Sequence, residues 1–304
     1  MFPCLMLPCS VARPSAIITS MQQDTAVRRP APITIGGREF AWGTRTYVMG
    51  IVNVTPDSFS GDGLGGDVEA ALRQAVQMRE NGADIVDVGG ESTRPGFAEV
   101  AEDEELRRTI PVVERLAREL DIPVSIDTYK AAVAKAAIEA GASLLNDVHG
   151  FLREPEIANV AAKAGVPAIA MYYHRGHVFK NTIGNVVEGL LESLAVARER
   201  GLPEEQIIID PGFNFGWTDD QALEMLRRLG ELRVLGRPVL IGTSRKSTIG
   251  NVLGLPVEDR LEGTAATVAI AIANGADIVR VHDVKEMTRV AKMADAIMRG
   301  WTRE

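Results

Sequence analysis

The chain has 304 residues, with 33 Lys plus Arg against 41 Asp plus Glu, a formal net charge of −8 and 46% hydrophobic residues. These are the values of an ordinary globular protein with enough chain for a sizeable core, and they exclude collagen, coiled coil and wholesale disorder. The acidic balance argues against nucleic acid or an anionic membrane as partner and leaves room for a local cationic pocket.

Both cysteines, Cys4 and Cys9, stand near the start, so from Ser10 onward no thiol is present to form a disulfide, a zinc site or a nucleophile. That usage suits a reducing cytoplasm. Residues 1–31 carry prolines through their apolar part and no basic run ahead of it, which speaks against a secretory signal. The segment reads as an unstructured extension without function, or as the product of an upstream start with Met21 as the alternative. A single domain over residues 32–304 then opens with Ile33 to Phe40, which alternates about Gly36-Gly37 and predicts a β-hairpin covering the domain floor.

Behind the hairpin, aliphatic runs predict strands at Tyr47 to Val52, Ile85 to Val88, Val124 to Ile126, Leu144 to Leu145, Ala168 to Met171, Ile207 to Ile209, Val239 to Ile241 and Ile278 to Val281. Each has room for a helix after it. Four helical stretches end in Gly shortly before such a run, at Gly82, Gly141, Gly165 and Gly275, where glycine supplies a left-handed terminator. The second helix opens on Glu102 to Glu105 at its positive dipole end, with Leu106, Ile110, Val113 and Leu120 as its apolar stripe. The longest apolar stretch, Gly263 to Val279, is broken by Thr264, Asn274 and Asp277 and reads as a helix feeding a strand, not as a membrane span. Eight βα units predict an α/β fold, an eight-stranded parallel β/α (TIM) barrel with the short hairpin at its N-terminus. An open doubly wound sheet is the alternative, but no Gly-x-Gly-x-x-Gly comes after the first strand.

In such barrels the carboxyl ends of the strands build the active site. Those ends supply Asn53, then Gly89 to Arg94 including Glu91, Thr93 and Arg94, then Asp127, Asn146-Asp147, Asp210, Ser244-Arg245-Lys246, and Arg280 with His282. Helix capping explains any one of them, but their joint occurrence points to a site. Arg280 and His282 are two apart on one strand and so face the same side. With Lys246 they suit a phosphate or diphosphate; ion pairing to rim carboxylates is the competing reading. Asp127 and Asp210 need matching donors in a barrel mouth. An amino-heterocycle donating two parallel N–H bonds is one match and a glycosidase-like acid/base pair another. Asn53 offers a neutral oxygen suited to Mg²⁺ beside substrate phosphates. His174 and His177 lack a third ligand for a metal, and His149 falls in a loop without a role.

The stretches Met49-Gly50-Ile51-Val52-Asn53-Val54-Thr55-Pro56-Asp57-Ser58-Phe59-Ser60 and Asp87-Val88-Gly89-Gly90-Glu91-Ser92-Thr93-Arg94-Pro95-Gly96 resemble the two signature stretches of the dihydropteroate synthases. Further matches are Ser125 to Thr128, Leu145 to Val148, Asp210 to Phe213, Ser244 to Lys246 and Arg280 to Asp283, in order from about Thr46 to the C-terminus. The resemblance implies a β/α barrel, a cytoplasmic homodimer, that joins p-aminobenzoate to 6-hydroxymethyl-7,8-dihydropterin diphosphate and releases diphosphate. It further implies that Asp127, Asn146, Asp210 and Lys246 hold the pterin, while Asn53, Arg280 and His282 hold the diphosphate with Mg²⁺. The loops Asp57 to Gly63 and Thr93 to Gly96 would complete the aminobenzoate pocket, with Phe59, Pro95, Phe215 and Ser247 as neighbours.

Two departures stand out. Where the family usually has Met-His-Met, this chain has Met171-Tyr172-Tyr173, so that Tyr173 is a candidate to stack on the pterin. Where the family commonly reads Gly-x-Gly-Phe-Gly-Lys, the chain has Gly212-Phe213-Asn214-Phe215-Gly216-Trp217. A pterin-binding methyltransferase acting on a corrinoid would keep Asp127, Asn146 and Asp210 but has no need of Thr93-Arg94-Pro95-Gly96 or of Lys246, Arg280 and His282. A paralogue that binds pterin without condensing it is the third reading.

Overall fold

The computed structural model describes residues 29–55, 67–91, 99–173 and 181–301. The hairpin pairs β1 (Ile33–Ile35) antiparallel with β2 (Arg38–Phe40), Ile33 opposite Phe40. Gly36 and Gly37 turn it at φ +56 and +77, positive values that a two-residue hairpin turn needs at both central positions.

Eight parallel strands come next: β3 (Tyr47–Asn53), β4 (Ile85–Gly89), β5 (Val124–Asp127), β6 (Leu144–Asp147), β7 (Ala168–Met171), β8 (Ile207–Asp210), β9 (Leu240–Ile241) and β10 (Ile278–Val281). Neighbours pair in chain order, β10 returns to β3, and a parallel bridge between Ile209 and Val239 joins β8 to the start of β9. The circle is thereby closed, as the eight βα units predicted. β6 runs past its aliphatic pair because Asn146 and Asp147 still pair with β5 and β7.

The helices around the barrel are α1 (Val68–Glu80), α2 (Glu102–Glu119), α3 (Ala131–Glu139), α4 (Glu156–Ala164), α5 (Thr182–Glu199), α6 (Asp219–Arg227), α7 (Ser247–Leu253), α8 (Leu261–Ala273) and α9 (Val284–Arg299). The four terminator glycines all take positive φ, from +67 at Gly165 to +111 at Gly141. The apolar stretch from Gly263 is indeed a helix feeding a strand, α8 into β10, and no described helix is long and apolar enough to cross a membrane. One acidic residue of α2 departs from the dipole reading: Glu105 is fully buried and paired with Lys130.

Strand alternation divides the core in two. Outward side chains such as Val48, Val86, Val124, Leu145, Ile207 and Val279 pack against the helices. Inward ones form a separate floor of Tyr47, Met49, Ile85, Leu144, Ile169, Ile208, Leu240 and Ile278, closed from below by Ile33, Ile35, Phe40 and Trp42 of the hairpin and the turn after it. Each such residue contributes about 1.5–3 kcal/mol by leaving water. Two residues further along four of the strands the inward position turns polar, in Ile85 to Asp87, Leu144 to Asn146, Ile208 to Asp210 and Ile278 to Arg280. The apolar floor therefore ends where the site begins.

Candidate active site

Arg280 stands at the centre of the polar layer. Its Nε donates to Asp87 Oδ2 at 2.6 Å and its Nη2 to Asp127 Oδ2 at 2.7 Å, so the guanidinium bridges two carboxylates from β4 and β5. The ion-pair reading of this residue is the arrangement seen, with most of its N–H groups still uncommitted to either carboxylate. Asp87 also accepts from Asn146 Nδ2 at 2.9 Å. Sequence reasoning did not single out Asp87 as a site residue. The signal was available in register, since Asp87 is two residues beyond the floor residue Ile85 and shares its side of β4.

Asp127 and Asp210 are held above their ordinary pKa. Burial raises Asp127; Arg280 pulls it down and Asp87 pushes it up again. Burial also raises Asp210, from 3.8 to about 6, against the Gly212 N–H and the positive fields of Lys246 and Arg280. The Gly212 N–H donates to Asp210 Oδ1 at 2.8 Å in the turn after β8. Asp127 Oδ1 is buried and has no hydrogen-bond partner among the described residues, an unspent acceptor at the edge of the polar layer. Asp147 has a different job. It is fully buried and accepts the N–H groups of His149 and Phe151, both at 2.8 Å, so it shapes the loop after β6 while Asn146 alone faces inward.

The remaining rim residues form an aromatic row. Lys246, the residue capping α7, sets its Nζ 4.0 Å from the Phe215 ring centre. Phe215 lies 5.8 Å from Tyr173, which lies 4.8 Å from His149, itself 5.1 Å from Tyr129. His149 thus belongs to the rim. His282 shares Ser244 Oγ through both its backbone N–H, at 3.1 Å, and Nδ1, at 2.9 Å. Between Ser244 and Lys246, Arg245 takes φ +56 and pairs with Asp283 at 2.5 Å, so it is engaged away from Lys246.

Asn53 ends β3 beside Gly89 of β4. A Cβ on Gly89 would lie 3.8 Å from both Asn53 Oδ1 and Asp127 Cβ, so the two side chains flank one bare backbone position. No cluster of three or more His, Cys, Asp or Glu able to hold a metal occurs among the described residues. Thr93 and Arg94, the loops Asp57 to Gly63 and Thr93 to Gly96 with Phe59 and Pro95, and His174 and His177 all lie outside the described residues. On the near side of Thr93, Glu91 accepts from Val100 N at 3.2 Å and pairs with Lys130 at 2.5 Å.

The two sequence departures meet in space. Tyr172 and Trp217 pack with ring centres 5.7 Å apart, and Tyr172 lies over Gly189 of α5, where a Cβ would come within 2.1 Å of its ring. Asn214 takes φ +67, a left-handed conformation that Asn tolerates better than other side chains, and bonds Ser247 at 2.5 Å and Thr248 at 2.7 Å.

Comparison with known proteins gives the family of the chain. The chain matches the pterin binding enzyme family over residues 49–282. It is 51% identical over 266 residues to a dihydropteroate synthase of Clostridium beijerinckii, covering 87% of this chain and 99% of that protein. It is 49% identical over 254 residues to the dihydropteroate synthase of Bacillus subtilis, covering 84% and 89%. Among solved structures, a Clostridium difficile dihydropteroate synthase crystallised in the presence of pteroic acid superposes with a TM-score of 0.82 at 48% identity, covering 86% of this chain and 99% of that one. A Xanthomonas albilineans dihydropteroate synthase with 4-aminobenzoic acid gives 0.82 at 40% identity, covering 88% and 98%.

Proposed function

This chain belongs to the pterin binding enzyme family, and within it to the dihydropteroate synthases of folate biosynthesis, and from that premise we propose how its residues divide the work. The reaction forms a bond between the amine nitrogen of p-aminobenzoate and the methylene carbon of 6-hydroxymethyl-7,8-dihydropterin diphosphate. The carbon–oxygen bond to diphosphate breaks, and the amine gives up a proton. An arylamine is neutral at pH 7, so the demanding part is expulsion of the diphosphate, and no covalent nucleophile on the protein is required.

Asp127, Asn146 and Asp210 accept from the N–H groups of the pterin ring, and Lys246 lies against its edge with Phe215 and Tyr173 as aromatic neighbours. Arg280 and His282 hold the diphosphate and neutralise the charge that develops on it. Asp127, beside Arg280, stabilises the electron-poor methylene carbon as the leaving group departs. Thr93, Arg94 and Ser247 complete the aminobenzoate side, and closure over the mouth keeps water from the reacting carbon. The observation that carries this reading is the convergence of Asp127, Asn146 and Arg280 around the buried carboxylate of Asp87, since it puts pterin acceptors and a diphosphate donor side by side.

The residues fit Mg²⁺. Asn53 supplies one neutral oxygen over the bare backbone of Gly89, which suits an ion that keeps several waters and takes the rest of its oxygens from diphosphate. Bound there, Mg²⁺ would supply further neutralisation of the leaving group. We also assign the chain to the cytoplasm and to a homodimer; exposed Met293 and Ile297, one turn apart on α9, and exposed Ile270 on α8, the helix that packs against α9, support the latter.

With Mg²⁺ present, purified protein is expected to release diphosphate from the pterin diphosphate only when p-aminobenzoate is added. Pterin binding without that dependence would favour the non-condensing paralogue, and methyl transfer to a corrinoid the methyltransferase.

A further inference from the structure

Asp87 has no part in the division of work between pterin and diphosphate residues, yet it is fully buried and holds both Arg280 and Asn146. Its Oδ2 accepts from both, while its Oδ1 has no hydrogen-bond partner among the described residues. In register it lies between Ile51 of β3 and Ser125 of β5. A buried carboxylate with half of its acceptor capacity unused costs stability, and an apolar side chain would occupy this position more cheaply. An apolar side chain could not hold two donors.

The two donors belong to different halves of the substrate. Arg280 faces the diphosphate and Asn146 the pterin. Anchoring this arginine at Nε helps to fix the plane of the guanidinium and, with one N–H of Nη2 given to Asp127, leaves Nη1 and the second N–H of Nη2 for a ligand. Committing Asn146 Nδ2 to Asp87 likewise settles which end of the carboxamide is presented, namely its oxygen, the acceptor that a pterin N–H needs.

We propose that Asp87 is a positioning residue for the condensation: one carboxylate oxygen sets both the plane of Arg280 and the amide orientation of Asn146, and so fixes the diphosphate-binding side chain relative to the pterin-binding one. The inference rests on the proposed roles of Arg280 and Asn146. Displacing reacting groups by about 1 Å costs on the order of 100-fold in rate, so a shared anchor has a kinetic effect without touching substrate.

The test compares wild-type protein with Asp87→Asn, Arg280→Ala and the double variant. Steady-state kinetics are paired with equilibrium binding of inorganic diphosphate and of 6-hydroxymethyl-dihydropterin. Asp87→Asn is expected to lower kcat/KM for the pterin diphosphate about 10- to 100-fold, the range found when a group that orients a ligating side chain is removed. Both binding affinities should weaken, the KM for p-aminobenzoate should stay unchanged, and the double variant should bind diphosphate no worse than Arg280→Ala alone, because the effect travels through Arg280. Arg280→Lys provides a second route if Asp87→Asn does not fold: lysine keeps the charge but lacks the Nε anchor, and should lose diphosphate affinity. Unchanged constants in Asp87→Asn, strictly additive losses, or wild-type affinity in Arg280→Lys would overturn the proposal. A wild-type chain that fails to couple diphosphate release to p-aminobenzoate counts against the condensation itself. A competent wild type beside an unaffected Asp87→Asn counts against Asp87 alone.

Discussion

Asp210 holds the clearest pH signal in the site. Burial lifts its carboxyl from 3.8 to about 6 even though the Gly212 N–H, Lys246 and Arg280 all favour the ionised form. In the folded chain without ligand it stays protonated up to about pH 6, whereas in the unfolded chain it ionises near pH 4. The unfolded state therefore loses its proton first, and this residue makes the ligand-free fold less stable as pH rises across that window. Pterin binding runs the other way, because a carboxylate that accepts two N–H bonds must be ionised. Pterin affinity is expected to fall roughly tenfold per pH unit below about 6, as for a one-proton linkage, with Asp127 adding a second step. Asp210→Asn should remove the step near pH 6 in a calorimetric titration, and a pH-independent affinity in the wild type would contradict the role given to this residue. Asp127, Asn146 and Asp210 were legible because each directly follows an aliphatic run. Arg280 and Asp87 both lie inside such a run, and only strand alternation shows that they face the barrel; Arg280 was found through His282 two residues on, whereas two residues beyond Asp87 stands Gly89, which carries no side chain to mark the face.

At the scale of elements, the loops after β7 and β8 absorb what looked like changes to the substrate pocket. A His-to-Tyr and a Lys-to-Trp difference, each read from its own stretch of chain, give no hint of one another. The barrel brings β7 and β8 together as neighbours, so Tyr172 and Trp217 pack in contact and away from the polar layer. Trp217 is 7% exposed and Gly189 of α5 leaves the space that Tyr172 fills. Sequence patterning captured the strands and glycine terminators because these obey local rules of period and φ. It missed the pairing of Tyr172 with Trp217, and that of Glu105 with Lys130, because both depend on elements that meet only after folding. Trp217→Ala is therefore expected to cost about 3–5 kcal/mol of stability, as large-to-small changes of a buried aromatic do, with kcat and KM unaltered in the folded fraction. Denaturant unfolding alongside steady-state kinetics checks this, and a raised KM for the pterin diphosphate would return Trp217 to the site.

Over the whole molecule, a net charge of −8 gives two copies of the chain a long-range repulsion, so self-association has to rest on apolar surface. Single exposed hydrophobics are ordinary, but a contiguous set on packed helices is not. On α9, Met293 is 62% and Ile297 68% exposed, and their spacing of one turn puts them on one face. Ile270 on the adjoining α8 and Trp301 just past α9 are also exposed. This face lies on the outside of the barrel, whereas the site opens at the carboxyl ends of the strands, so pairing here leaves both mouths open. A stable interface needs about 800 Å² from each partner, so an interface on this face would also draw on the charged neighbours on α9. Ile297→Glu adds a charge to this face of α9 on each copy, and an isologous interface built on this face would bury both added charges. In sedimentation velocity the wild type is expected to run as a dimer and Ile297→Glu as a monomer, with kcat within about twofold of wild type, because surface changes outside a site leave chemistry alone. A dimeric Ile297→Glu would move the interface to another face of the barrel.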